Sequence, residues 1–197
     1  MLQVFLTLSG FSAASGLVYH QKHLFVIADN SGFLYQYNLK TNLLIHHPLI
    51  TNPQHFTPKQ HKLDFEVITK KGNELHIFSS GSKKNRCQKI IFNLNSKETQ
   101  NTDLNNFYEK IIRETKISEE ELNLEGALYY KRSLLLLQRG NGKKAKNGII
   151  KVTPSERISF KQINLPQING VSASFTDAIL VKDKIYFLAS AEDSQST

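Results

Sequence analysis

Three short phrases in the chain rhyme, and each carries a carboxylate: Leu63-Asp64-Phe65-Glu66, Asn123-Leu124-Glu125-Gly126 and Phe175-Thr176-Asp177. In each, an acid opens a strand-like run, and a second apolar run follows 8 or 9 residues later. Carboxylates brought together with few neutralising partners repel, unless a cation sits between them or some hold protons. Hard oxygen ligands from separate chain segments suit Ca²⁺, which takes six to eight oxygens. Glu66, Glu125 and Asp177 are therefore candidate metal ligands, with Asn123 and backbone carbonyls available to complete a shell. The competing reading makes each acid structural glue that accepts hydrogen bonds from a neighbouring repeat. Recurrence fits both.

A second set of residues lies on turn-like segments: Asp29-Asn30-Ser31-Gly32, residues 79–86, Arg139-Gly140-Asn141-Gly142-Lys143-Lys144, and the tail Ser190-Ala191-Glu192-Asp193. Gly81 and Gly142 would let backbone amides approach an anion, and Arg86 and Arg139 could grip it bidentately. Asp29 and Lys83 complete this candidate ligand-binding set. The same residue types also make ordinary hairpin turns. Arg86 and Arg139 could instead neutralise Glu66 and Glu125, removing the need for a metal.

Other constellations carry less. The histidines at 20, 23, 46, 47, 55, 61 and 76 lack metal-finger spacing, and adjacent His46 and His47 point to opposite faces of a strand. There is no G-x-S-x-G elbow around Ser79, no P-loop and no dinucleotide fingerprint. Cys87 falls on an apolar strand and reads as buried.

The elements that must position these residues repeat. Ser15-Gly16-Leu17-Val18 is an acid-free copy upstream, and the intervals between Ser15, Glu66, Glu125 and Asp177 are 51, 59 and 52 residues. A period of about 50 residues containing several short strands predicts an all-β fold, a β-propeller of four-stranded blades around a channel. In such a fold the repeated acids sit near one another at the start of innermost strands. Blade one spans about 16–50, with strands near 16–19, 23–29, 33–39 and 43–50. A Pro-marked connector follows at 51–62.

Blade two covers 63–103. Leu104, Phe107, Tyr108, Ile111 and Ile112 then recur at helical spacing, with Asp103 as N-cap and Ser118-Glu119-Glu120-Glu121 as a capping box. This helical insertion, 104–121, accounts for the longer middle interval. Blade three spans 122–165, and blade four begins at 171 and runs to 197. Residues 3–8 read as a further strand. Three blades and a half predict the N-terminal part of a longer, six-bladed ring, the rival expectation being a complete but open β-sheet protein.

Composition sets the outer bounds. Of 197 residues, 40% are hydrophobic, enough for a packed core. A single cysteine precludes an internal disulfide and fits a reducing compartment. The absence of tryptophan argues against an indole carbohydrate platform. The net charge of +8 resides in scattered turn lysines, without the aromatic-interleaved basic strand or helix-turn-helix that would indicate nucleic acid as a partner. Residues 1–14 are apolar but lack the positive start of a signal peptide, which predicts a cytoplasmic protein, and no run reaches the ~20 residues of a membrane span.

Asn123-Leu124-Glu125-Gly126-Ala127 followed by residues 134–139 resembles the blade openings of phytase-like and SdiA-regulated-like bacterial propellers. With Ser15-Gly16-Leu17-Val18-Tyr19, Asp64-Phe65-Glu66 and residues 81–86, nearly the whole chain is similar to an uncharacterised bacterial propeller family of that kind. The resemblance implies a six-bladed propeller, and the first functional reading is a propeller that binds a small anionic ligand or a protein partner. In distant relatives the resemblance implies Ca²⁺-dependent hydrolysis of phosphoesters or lactones. The acid-free first blade departs from a full ring of ligands.

Overall fold

The computed structural model describes residues 3–11, 13–142 and 144–192. Lys143 and Asp193, placed on rim loops above, lie outside the described residues, as do the first two residues and Ser12.

Four antiparallel sheets follow one another along the chain. The first comprises β1 (Ala14–His20), β2 (His23–Ala28), β3 (Phe33–Asn38) and β4 (Leu44–Pro48) in simple meander order. The second repeats this with β5 (Phe65–Lys71), β6 (Glu74–Ser79), β7 (Gln88–Asn93) and β8 (Thr99–Asp103). Helix α1 (Asn105–Thr115) and a 3-10 turn (Glu119–Glu121) intervene.

The third sheet is β9 (Leu124–Tyr130), β10 (Ser133–Gln138), β11 (Gly148–Val152) and β12 (Ile158–Gln162). The fourth has β14 (Val171–Val181) between β13 (Gln167–Ile168) and β15 (Lys184–Ala191). The innermost strands lie side by side in series: β1 against β5, β5 against β9 and β9 against β14. This is the propeller arrangement that the repeat predicts.

Strand alternation builds the inter-sheet cores. On β6, Leu75 and Ile77 face the first sheet, joining Phe25, Ile27, Leu34 and Leu49 with Ile90 and Phe92. The next residue, Phe78, faces the third sheet with Val67, Leu124, Ala127 and Leu136. A two-residue period thus supplies both faces of a buried blade. Helix α1 closes the second core with Tyr108 and Ile111 and packs on β12. His76, also on β6, crosses to the third sheet, where its Nδ1 lies 2.7 Å from the Tyr129 hydroxyl.

Several local expectations are corrected. Residues 3–8 form no strand, and Val4 and Phe5 stand exposed because no neighbouring sheet edge pairs with them. The helix N-cap is Leu104 rather than Asp103. The Asp103 carboxylate instead accepts from the Asn105 backbone N–H at 2.8 Å. Ser118 makes no side-chain cap, and the Glu121 carboxylate reaches across to accept from the Lys144 N–H at 3.2 Å. The fourth sheet starts before residue 171, because Gln167 and Ile168 fold back onto Ser172 and Val171. Its apolar residues Ile179, Tyr186, Phe187 and Leu188 are exposed.

Candidate functional site

Each innermost strand carries one irregularity near its start. Ser15 has no pairing partner between Ala14 and Gly16, Glu66 none between Phe65 and Val67, and Glu125 none between Leu124 and Gly126. In the fourth sheet the unpaired residue is Thr176, between Phe175 and Asp177. A bulge re-aims side chains at the rim of a sheet, which makes it a device for building a site. The blade equivalents are therefore Ser15, Glu66, Glu125 and Thr176, spaced by 51, 59 and 51 residues. Asp177 is one residue out of that register, yet both it and Thr176 face the channel.

The channel mouth is a cleft of ≈ 520 Å³ into which every sheet sends one carboxylate: Asp29, Glu66, Glu125 and Asp177. Glu66 and Glu125, 59 residues apart in sequence, thus share a wall with two further acids. Backbone hydrogen bonds stitch the blades together beside this mouth, from Asp64 N–H to the Asp29 carbonyl at 3.2 Å and from Leu124 N–H to the Ser80 carbonyl at 2.8 Å. In the first blade the bulge residue is itself glue, since Ser15 Oγ donates to the Phe65 carbonyl at 2.5 Å.

A charge network fills one side. Lys62 Nζ lies 2.5 Å from Asp29 Oδ2 and 2.6 Å from Asp64 Oδ1. Asp64 Oδ2 accepts from Ser80 Oγ at 2.5 Å and from Arg86 Nη1 at 3.0 Å. Burial pushes the Asp64 carboxyl up, but the Lys62 and Ser80 hydrogen bonds and the two cations outweigh it, holding the group below its ordinary value. Oxygens of Asp29, Asp64 and Glu66 come within 4.8 Å of one another, so one cation could touch all three. Asp29 Oδ1 is buried with no hydrogen-bond partner.

Glu66, unlike Asp29, Asp64 and Glu125, enters no ion pair among the described residues. Burial, then the charges of Glu125, Asp64 and Asp29, push its pKa up to about 8 against the opposing pull of Lys62, so it holds a proton at neutral pH. Glu125 accepts from Arg139 Nη1 at 3.2 Å and from Asn123 Nδ2 at 2.9 Å. Burial nonetheless raises its pKa. Asp177 is raised to about 6, chiefly by burial, although the Ala178 N–H donates to its Oδ1.

The residues singled out from sequence thus divide. Glu66, Glu125, Asp177 and Asp29 meet in one cleft. Arg86 is buried against Asp64, not Glu66, and Arg139 bridges Glu125 and Glu192. Lys83 is exposed and, among the described residues, joins no ion pair. Gly81 serves the fold: at φ +77° a Cβ there would lie 2.3 Å from the ring of Tyr108, whose hydroxyl donates to the Ser79 carbonyl. Cys87 is buried, which pushes its thiol up to about 11 and leaves it unreactive. Lys62 and Asp64 join this network without having been singled out from sequence. Strand alternation offered no signal for them, because Asp64 precedes β5 at φ +59° and Glu66 is the bulge residue.

No helix among the described residues is long and apolar enough to cross a membrane. None of the curated proteins matches the chain. Solved structures that match include the N-terminal domain of Nup159, at 12% identity and a TM-score of 0.38, covering 93% of this chain and 41% of that one. Another is an S. cerevisiae assembly of Dbp5 bound to Nup159, Gle1, IP6 and ADP, at 11% identity and a TM-score of 0.37, covering 93% and 40%. The chain spans about two fifths of the length of these structures. A family of unknown function, DUF6929, matches residues 10–197, and the chain belongs to that family.

Proposed function

We propose that the chain is a ligand-binding propeller whose recognition site is the acidic channel mouth, and that the bound group is a cation, with Ca²⁺ the best fit. The observation that carries this reading is the convergence of Asp29, Glu66, Glu125 and Asp177 from four successive sheets on one cleft. All donors are hard oxygens, as Ca²⁺ prefers. Asp29, Asp64 and Glu66 would supply the first three, and the orphaned Asp29 Oδ1 already lacks a donor. Binding must displace the Glu66 proton and move the Lys62 ammonium aside, so affinity rises with pH. The same geometry argues against a small anion, because Arg86 and Arg139 are committed to carboxylates.

A second reading, a Ca²⁺-dependent hydrolase of the phytase-like type, draws support from Glu66. A carboxyl kept protonated near neutrality beside the Arg139-paired Glu125 has the character of a general acid. Thermal melts with Ca²⁺ or phosphate, alongside phosphoesterase and lactonase assays, separate the readings. The binding account expects Ca²⁺ to raise Tm, phosphate to leave it unchanged, and no Ca²⁺-dependent turnover. Stabilisation by phosphate alone would overturn it, and Ca²⁺-dependent turnover abolished by Glu66→Gln would establish the hydrolase.

A further inference from the structure

Away from the channel, a second cluster of ligating groups lies on the first sheet and the connector that crosses it. His46 on β4 sits directly across from Tyr35 on β3, and the imidazole of His55 on the connector reaches the same spot. The His46 and His55 ring centres are 5.0 Å apart with planes at 73°. Both residues are exposed, whereas Tyr35 beneath them is fully buried.

An exposed histidine on a long connector would ordinarily sample many positions, and His55 is held in one. Its ring stacks on Phe33 at 4.3 Å, and its Nδ1 lies 3.2 Å from the Tyr35 hydroxyl, which is itself 2.8 Å from Ser31 Oγ. The backbone on either side is pinned to the β2–β3 hairpin, with Gly32 N–H donating to the Gln54 carbonyl and Thr57 N–H to the Asn30 carbonyl. Engaging Nδ1 with a polar group behind the ring leaves Nε2 as the free ligand atom, the arrangement by which proteins orient a metal-binding imidazole.

The ring spacing agrees with shared coordination. Two imidazoles in cis positions on one cation, each nitrogen about 2.1 Å from it, have ring centres roughly 4.5–5.2 Å apart. We propose that His46 and His55 form a two-imidazole site for a borderline divalent transition cation of the Zn²⁺ class, with Tyr35 and Ser31 orienting His55 from behind. Imidazole nitrogen favours Zn²⁺, Ni²⁺ and Cu²⁺ over the hard cations suited to the channel carboxylates. Water completes the coordination sphere. This site is separate in position and in chemistry from the channel mouth.

Zn²⁺ titration of the full chain at pH 7.5, followed through the imidazole resonances by NMR, tests the proposal. The His20 and His23 pair, half-buried cross-strand neighbours at the β1–β2 turn, provides an internal control for paired histidines that no buried tyrosine orients. The His46 and His55 signals are expected to move together, with a midpoint at least about tenfold below that of His20 and His23. His55→Gln should raise the His46 midpoint by about tenfold or more, and Tyr35→Phe should weaken both while sparing the controls. If His46 and His55 move at different midpoints, or at the midpoint of His20 and His23, the cluster is aromatic packing and the proposal fails. The wild-type titration alone decides this should either variant not fold.

Discussion

Lys62 places its Nζ 2.6 Å from Asp64 Oδ1, so the acidic mouth is partly neutralised by a cation that the chain itself supplies. The same ammonium contacts Asp29, which joins the first blade to the second. Lys62 is therefore both a clasp between blades and a competitor for any metal that Asp29, Asp64 and Glu66 would hold. Lys62→Met should weaken the fold without Ca²⁺ and tighten Ca²⁺ binding by about tenfold or more, since a charge of like sign leaves the site. Calorimetric titration of both proteins checks the second part. Unchanged affinity would mean that the metal lies elsewhere.

Asp64 anchors the half-buried Lys62 and the buried Arg86, and its loss leaves Arg86 without a carboxylate while Lys62 keeps Asp29. Asp64→Ala should cost about 3–5 kcal/mol, the cost of breaking a buried pair by removing one partner. Urea unfolding measures it. A loss below about 1 kcal/mol would show that water solvates Lys62 and Arg86 in the folded state.

Glu66 makes stability depend on pH in a defined direction. Its folded pKa of about 8 lies above the ordinary carboxyl value, so the folded state binds the proton more tightly than the unfolded chain does. The contribution is complete below the ordinary value near 4.5 and is lost progressively as pH rises through about 8. Glu66→Gln should match wild type at pH 5 and melt about 3 °C or more higher at pH 9, where wild type must bury an ionised carboxylate. Scanning calorimetry at the two pH values reads this. Equal Tm values at pH 9 would mean that the cleft solvates Glu66 fully.

Gly81 and Gly72 separate backbone strain from packing. Both have positive φ, but a Cβ at Gly72 meets nothing within 4 Å whereas one at Gly81 meets the Tyr108 ring. Gly72→Ala should cost about 1–2 kcal/mol, the ordinary left-handed penalty. Gly81→Ala should cost at least about 1 kcal/mol more, because overpacking adds to that penalty. Equal losses in urea unfolding would show that Tyr108 and α1 shift freely.

Much of this was legible from sequence because the fold is a local repeat. Leu75 and Ile77 alternate with His76 and Phe78, and Gly72-Asn73 turns one strand into the next, so pattern and pairing agree. The Ca²⁺ candidates Glu66 and Glu125 follow from matching strand starts. Asp177 was aligned one residue late, because the bulge at Thr176 depends on pairing with β15 and leaves no mark in the phrase itself. The Lys62–Asp29 contact joins residues 33 apart across two blades, and only the packed interface brings them together. Arg86 was aimed at Glu66 for the same reason: strand alternation does not say which of Asp64 and Glu66 a loop arginine reaches.

Ca²⁺ calorimetry at pH 7 in buffers of different ionisation enthalpy tests the central claim, that the mouth binds a cation by displacing the proton of Glu66. Because Glu66 titrates at about 8, the account predicts release of about one proton per ion at pH 7, almost none at pH 9.5, and none from Glu66→Gln at either pH. Binding without proton release at pH 7, or no binding at either pH, would contradict it.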